Sequence, residues 1–206
     1  AGALGDAGVF AFYPNKQVAT GEGGMIVTRR SEWASLFRSL RNQGRDEFGS
    51  WLAHDRLGYN YRMDELSAAL GVVQVERLDE LLLRRQRVAD LYQQRLGEID
   101  ELELPRPVAS TTRTSWFVYV VRLAEGLDRA EVMAQLAEHG VPSRPYFSPI
   151  HLQPLYRDRF GYEPGMLPVT ERVASRSLAL PFFGRMSEAQ VERVGAALEE
   201  VLRGGG

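Results

Sequence analysis

The first residue to ask about is a lysine without companions. All but one of the 25 basic side chains are arginine; the exception is Lys16. Arginine stays protonated in proteins, whereas an amine can shed its proton and attack a carbonyl. Lys16 is therefore either a chance survivor of an arginine-rich composition or the one nitrogen kept for covalent chemistry. The count alone leaves both open. Other chemistries have little to work with. There is no cysteine, which excludes thiol catalysis and a disulfide scaffold. His54, His139 and His151 are scattered without metal-ligand spacing, so no metal site is expected. A second polar group sits in Gly58-Tyr59-Asn60-Tyr61-Arg62-Met63-Asp64. The Asn60 amide suits a phosphate oxygen, or its own turn. Arg62 suits a phosphate or carboxylate, or simply Asp64 or Glu65.

These side chains must be carried by ordinary elements. Val9 to Tyr13 is an apolar, aromatic run that reads as a buried strand, and Pro14-Asn15 breaks it. Lys16 thus follows a strand end. Gly21 to Gly24 is a turn and Met25 to Thr28 a second strand. Ser31 is placed to cap a helix over 32–42, with Gly44 as its stop. Residues 45–62 read as a loop anchored by Phe48, Trp51, Tyr59 and Tyr61. Helical periodicity then runs from Asp64 to about Leu96, long enough to require a bend or two helices.

Further on, Leu102 to Pro107 is extended, and Ser115 to Val121 has the strongest strand pattern in the chain. Asp128 with Glu131, and Ser187 with Gln190, are capping boxes. The first opens a helix ending before Gly140, and the second opens a final amphipathic helix. Val141 to Tyr146 reads as a strand and 147–184 as proline-marked loop. The terminal Gly204-Gly205-Gly206 is expected to fray. Two strands cannot bury a sheet, so the opening reads as the tail of a domain that begins upstream.

Three segments, taken together, resemble the DegT/StrS-type sugar aminotransferases within the fold-type-I pyridoxal-phosphate enzymes. The first is Gly5-Asp6-Ala7-Gly8-Val9-Phe10-Ala11-Phe12-Tyr13-Pro14-Asn15-Lys16 with Gly21-Glu22-Gly23-Gly24-Met25-Ile26. The second is Gly58 to Leu66, leading into Ala68-Ala69. The third and weakest is Arg144-Pro145-Tyr146 with Pro149, His151 and Leu180-Pro181. The resemblance implies an α/β fold: the end of a large cofactor domain over 1–76, then a smaller α+β C-terminal domain over 77–206. It implies pyridoxal 5'-phosphate as cofactor and Lys16 as its Schiff-base lysine. Asn60 would reach the phosphate bound by a neighbouring subunit, making the unit a homodimer with shared sites.

The same resemblance implies amino transfer, from glutamate, onto a keto group of a nucleotide-linked sugar. Such a sugar would feed polysaccharide or antibiotic biosynthesis. Arg62, His151 and Tyr146 would stand on the substrate side. His151 also fits a loop histidine satisfied by backbone, and Tyr146 and Arg144 also fit core or hinge packing. Family dehydratases carry histidine where Lys16 stands, which argues against that branch. Two positions depart from the pattern: Ala11 replaces a phosphate-binding serine, and Arg41-Asn42-Gln43-Gly44 lacks the usual histidine before its glycine. The family's ring-stacking residue, ring-nitrogen aspartate and main phosphate loop belong to an upstream half, so this chain alone is expected to bind cofactor poorly. Ala11 and that missing half leave a non-catalytic regulatory homologue as the alternative, beside a cofactor enzyme acting on a non-sugar ketone such as a cyclitol.

The net charge of −2 argues against a nucleic-acid partner. No apolar run approaches the ~20 residues that span a bilayer, and the opening residues do not read as a signal peptide. A cytoplasmic protein with small-molecule substrates is expected.

Overall fold

The structure, a computed structural model, describes residues 2, 4–45 and 53–204. The expected anchors Phe48 and Trp51, and the glycines at 205 and 206, lie outside the described residues, as do Ala1 and Ala3. The chain forms two compact units, Ala1–Glu80 and Leu81–Gly206.

In the first unit, β1 (Ala7–Ala11) pairs antiparallel with β2 (Gly24–Thr28), Val9 lying opposite Ile26. Helix α1 (Ser31–Arg41) follows. Ser31 is its first residue rather than its cap; Arg30 holds the cap position and makes no side-chain cap bond. Helix α2 (Glu65–Glu76) is capped by Asp64, whose carboxylate accepts the Ser67 N–H. The long periodic stretch resolves into two helices, α2 and α3 (Leu78–Leu96), separated at Arg77. Val9, Met25 and Ile26 on the ribbon, and Leu66, Val72 and Val73 on α2, remain exposed.

The second unit is built on a four-stranded antiparallel sheet ordered β3 (Leu102–Glu103), β4 (Tyr119–Leu123), β6 (Ser177–Leu180), β5 (Arg144–Pro145). Alternation along β4 buries Tyr119, Val121 and Leu123. They join Leu178 and Leu180 of β6 in one core with α3, α4 (Arg129–Glu138) and α7 (Glu188–Gly204). Tyr92 on α3 lies within it, stacked on Tyr119 and donating from Oη to the Pro181 carbonyl at 2.7 Å.

Several sequence expectations change here. β4 starts at Tyr119, not Ser115, because Trp116 has φ +48 and turns its indole N–H to Gln86. The strands expected over Leu102–Pro107 and Val141–Tyr146 shrink to two residues each. The region 147–184 is largely regular: a 3-10 turn Ile150–Leu152, α5 (Pro154–Phe160), α6 (Pro168–Arg176) and β6. Pro154 and Pro168 start helices, where a missing N–H costs nothing. The Ser187–Gln190 box forms reciprocally. At α4 only Asp128 caps, while Glu131 accepts instead from Gln135.

Candidate active site

Lys16 stands in a loop closed at its base. The Phe12 N–H donates to Gly23 and the Thr20 N–H to Phe12, both to backbone carbonyls. Between those rungs, Tyr13 to Lys16 is a tight turn, with the Lys16 N–H donating to the Tyr13 carbonyl at 2.9 Å. Pro14 is at the second turn position, where its fixed φ is already correct. The lysine is half-buried. Thr20 is buried and donates to the Glu22 carbonyl at 2.7 Å. A side chain at Gly71 of α2 would come within 3.1 Å of the Thr20 methyl, so this glycine lets α2 lie against the loop. Ala11, exposed at the end of β1, puts a methyl where a hydroxyl donor would stand.

The segments Arg41-Asn42-Gln43-Gly44 and Gly58 to Arg62 turn out to be one construction. Backbone 58–61 docks onto the C-terminus of α1: Tyr59 and Tyr61 donate their N–H groups to the carbonyls of Leu40 and Arg41, and Gln43 donates to Tyr59. Helix-end carbonyls that need partners find them there. Asn42 and Asn60 face each other across an antiparallel bridge. Two glycines allow this approach. Gly44 has φ +77, and a Cβ on it would lie 1.7 Å from the Arg56 carbonyl oxygen. A Cβ on Gly58 would lie 2.2 Å from the Gly44 nitrogen.

Side chains then alternate along 59–62. Tyr59 and Tyr61 stack on each other with centroids 5.1 Å apart. Arg62 turns to the asparagines, Nε donating to Asn60 Oδ1 at 3.1 Å and Nη1 to Asn42 Oδ1 at 3.2 Å. Asn42 and Gly44 were missed as site residues; the departure from the family pattern at 41–44 was their only signal.

In the second unit, Arg144 is exposed, and Tyr146 is half-buried and stacked on Phe147 at 4.0 Å. His151 is 6% exposed. Its Nε2 lies 3.1 Å from Glu171 Oε1, and Tyr162 meets its ring edge-on at 5.8 Å. Glu171, unremarked in the sequence, also accepts the N–H groups of Gly165 and Leu167. The Gly165 bond first, then His151, holds the Glu171 carboxyl below its usual 4.5. A depressed folded-state value gives stability that is complete above the unfolded value and is lost as pH falls through the folded one. Glu171→Gln should therefore flatten the loss of melting temperature on acidification below about pH 4.5. An acid limb as steep as wild type would contradict this.

Among the described residues, no group of histidines and acids could hold a metal ion, and no helix is long and apolar enough to cross a membrane.

A family model for the DegT/DnrJ/EryC1/StrS aminotransferases matches residues 1–199. The chain belongs to that family. It is 39% identical to the GDP-perosamine synthase of Caulobacter vibrioides over 203 residues, covering 98% of this chain and 54% of that protein. It is 34% identical over 216 residues to the spore coat polysaccharide biosynthesis protein SpsC of Bacillus subtilis, covering 98% and 55%. Among solved structures it is similar to the aminotransferase TlmJ of Streptoalloteichus hindustanus, with TM-score 0.88 and 31% identity, covering 99% and 54%. The chain thus spans about half the length of the DegT-family relatives it matches.

Proposed function

We propose that this chain is the lysine-bearing half of a pyridoxal-phosphate-dependent aminotransferase acting on a nucleotide-linked keto sugar, with glutamate as amino donor. The observation that carries the reading is the sole lysine, seated in a proline-set turn after β1 in a chain that belongs to this family. When bound, the cofactor supplies an aldehyde and an electron sink. The chain's own residues supply placement. Lys16 Nζ would hold the cofactor through its aldehyde and, when free, would hold or move a proton at the reacting carbon. The turn and its two backbone rungs fix the main chain from which that nitrogen extends.

The residues present fit such a group. Lys16 is a half-buried amine, and Asn60 and Arg62 offer N–H donors of the kind phosphate oxygens accept. In this reading Asn60 serves the site of a neighbouring subunit, so the working unit is a homodimer in the cytoplasm. Tyr146, with a half-exposed ring, and Arg62 stand on the substrate side. His151, its Nε2 3.1 Å from Glu171 Oε1, stands on the substrate side as well in this reading. Residues 1–76 then finish the large cofactor domain and 77–206 form the small one.

The test is direct. The full-length protein is loaded with pyridoxal phosphate, reduced with borohydride and digested. The cofactor mass is expected on the peptide containing Lys16, and the native protein is expected to aminate a nucleotide-linked keto sugar at the expense of glutamate. Loading without modification of Lys16 sinks the lysine assignment, and failure to load at all favours the regulatory reading.

A further inference from the structure

We infer that Thr20 is a positioning residue for Lys16, a wedge set between Gly71 of α2 and Gly23 of the loop, so that the helix fixes where the lysine turn stands. The inference rests on the proposed role of Lys16. Thr20 is 4% exposed, and its two branches meet different glycines. A Cβ on Gly71 would lie 3.1 Å from the Thr20 methyl, and a Cβ on Gly23 would lie 2.7 Å from Thr20 Oγ1. The hydroxyl also donates to the Glu22 carbonyl, so the side chain cannot turn away from a larger neighbour without breaking that bond. Branching at Cβ restricts its rotation further.

The wedge reaches Lys16 through one peptide link. The Phe12 carbonyl accepts the Thr20 N–H at 2.9 Å, and the next carbonyl, of Tyr13, accepts the Lys16 N–H at 2.9 Å. Thr20 and the lysine turn thus hang from adjacent residues, and a shift of one pulls on the other. Gly71 is the informative side of the wedge. It lies inside α2, where glycine weakens a helix relative to alanine. Its backbone is helical, so no turn or left-handed φ requires glycine there. What remains is space. Ser67, Ala68, Gly71 and Gln74 form the half-buried stripe of α2, while Leu66, Leu70, Val72 and Val73 are exposed. A methyl added at Gly71 therefore has two effects of opposite sign. The helix gains, and the loop is pushed off its support.

Gly71→Ala is made in the full-length protein, alone and with Thr20→Ser, which removes the methyl and keeps the hydroxyl. Gly71→Ala is expected to melt at or above the wild-type temperature. Its Lys16 is expected to take up pyridoxal phosphate about tenfold more slowly, because small misplacements of a reacting group are costly. A second readout needs no cofactor. Reductive methylation with formaldehyde and cyanoborohydride, followed by mass at the Lys16 peptide, is expected to run faster than in wild type, since a lifted loop uncovers the half-buried amine. Adding Thr20→Ser should return both rates most of the way. A purely structural role would move the melting temperature and neither rate. Wild-type rates of both reactions in Gly71→Ala overturn the inference, and so does a change that Thr20→Ser fails to reverse. If pyridoxal phosphate never modifies Lys16 in wild type while its methylation still responds to Gly71→Ala and recovers with Thr20→Ser, the catalytic reading fails and the wedge stands.

Discussion

Lys16→Ala should abolish amino transfer while leaving the fold intact. The side chain lies half-buried in a turn whose backbone bonds do not use its amine. The effect on stability is expected to be small beside the catalytic one, because the turn itself is held by backbone bonds. The catalytic loss is of another order. Proton transfer by a placed group contributes roughly 10²–10⁴-fold, and covalent attachment is lost with it. Lys16→Arg should fare no better, because a guanidinium keeps its proton. Single-turnover amination and melting curves measured on the same sample separate chemistry from folding. Small exogenous amines should restore a fraction of the rate to Lys16→Ala and none to a misfolded protein. If Asn60 serves the neighbouring site, mixing Lys16→Ala with Asn60→Asp subunits should regenerate one complete site per mixed dimer. Wild-type turnover by Lys16→Ala would end the enzymatic reading, and absence of any regain on mixing would end the shared-site reading.

Gly44→Ala should be the most damaging single methyl added to the first unit. At φ +77 an alanine carries about 1–2 kcal/mol of strain before any contact is counted. The added carbon would also sit 1.7 Å from the Arg56 carbonyl oxygen, and that neighbour is backbone and cannot swing aside. A loss of about 3 kcal/mol or more is expected, in the range of named, severe mechanisms. Gly58→Ala strikes the same crossing from the other side, 2.2 Å from the Gly44 nitrogen. The double variant should therefore cost much less than the sum of the two singles, because one broken crossing cannot be broken twice. Chemical denaturation of the three variants tests this. Additive losses would show that the two glycines act separately.

Much of the site was readable because local chemistry specified it. A lone lysine after Pro14-Asn15 needs no tertiary information to stand out. The Asp64 cap and the helix after it follow from short-range rules. What escaped notice depends on partners distant in sequence. Asn42 and Gly44 looked like a helix end, and their meaning appears only when residues 58–62 lie against them. Glu171 lies in a stretch that reads as loop, and only folding brings His151 to it. Strand β6 was missed for a similar reason. Ser177-Leu178-Ala179-Leu180 is short, weakly alternating and followed by proline. It is a strand because β4 and β5 flank it, not because its residues demand one. Conversely, Ser115 to Phe117 has strong strand propensity that Trp116 overrides by turning to Gln86 and lending its carbonyl to Arg85.

The late position of β6 sets an order of events during synthesis. β4 leaves the ribosome with only β3 and α3 already made beside it, and its other ladder partner, Ser177–Leu180, emerges only after α4, α5 and α6 have been made. Closing such a sheet requires a long loop to be drawn in before any contact rewards it, which slows folding. The nascent second unit should therefore linger as helices around an open hairpin-like edge, vulnerable to chaperones and proteases, until α7 arrives to seal it.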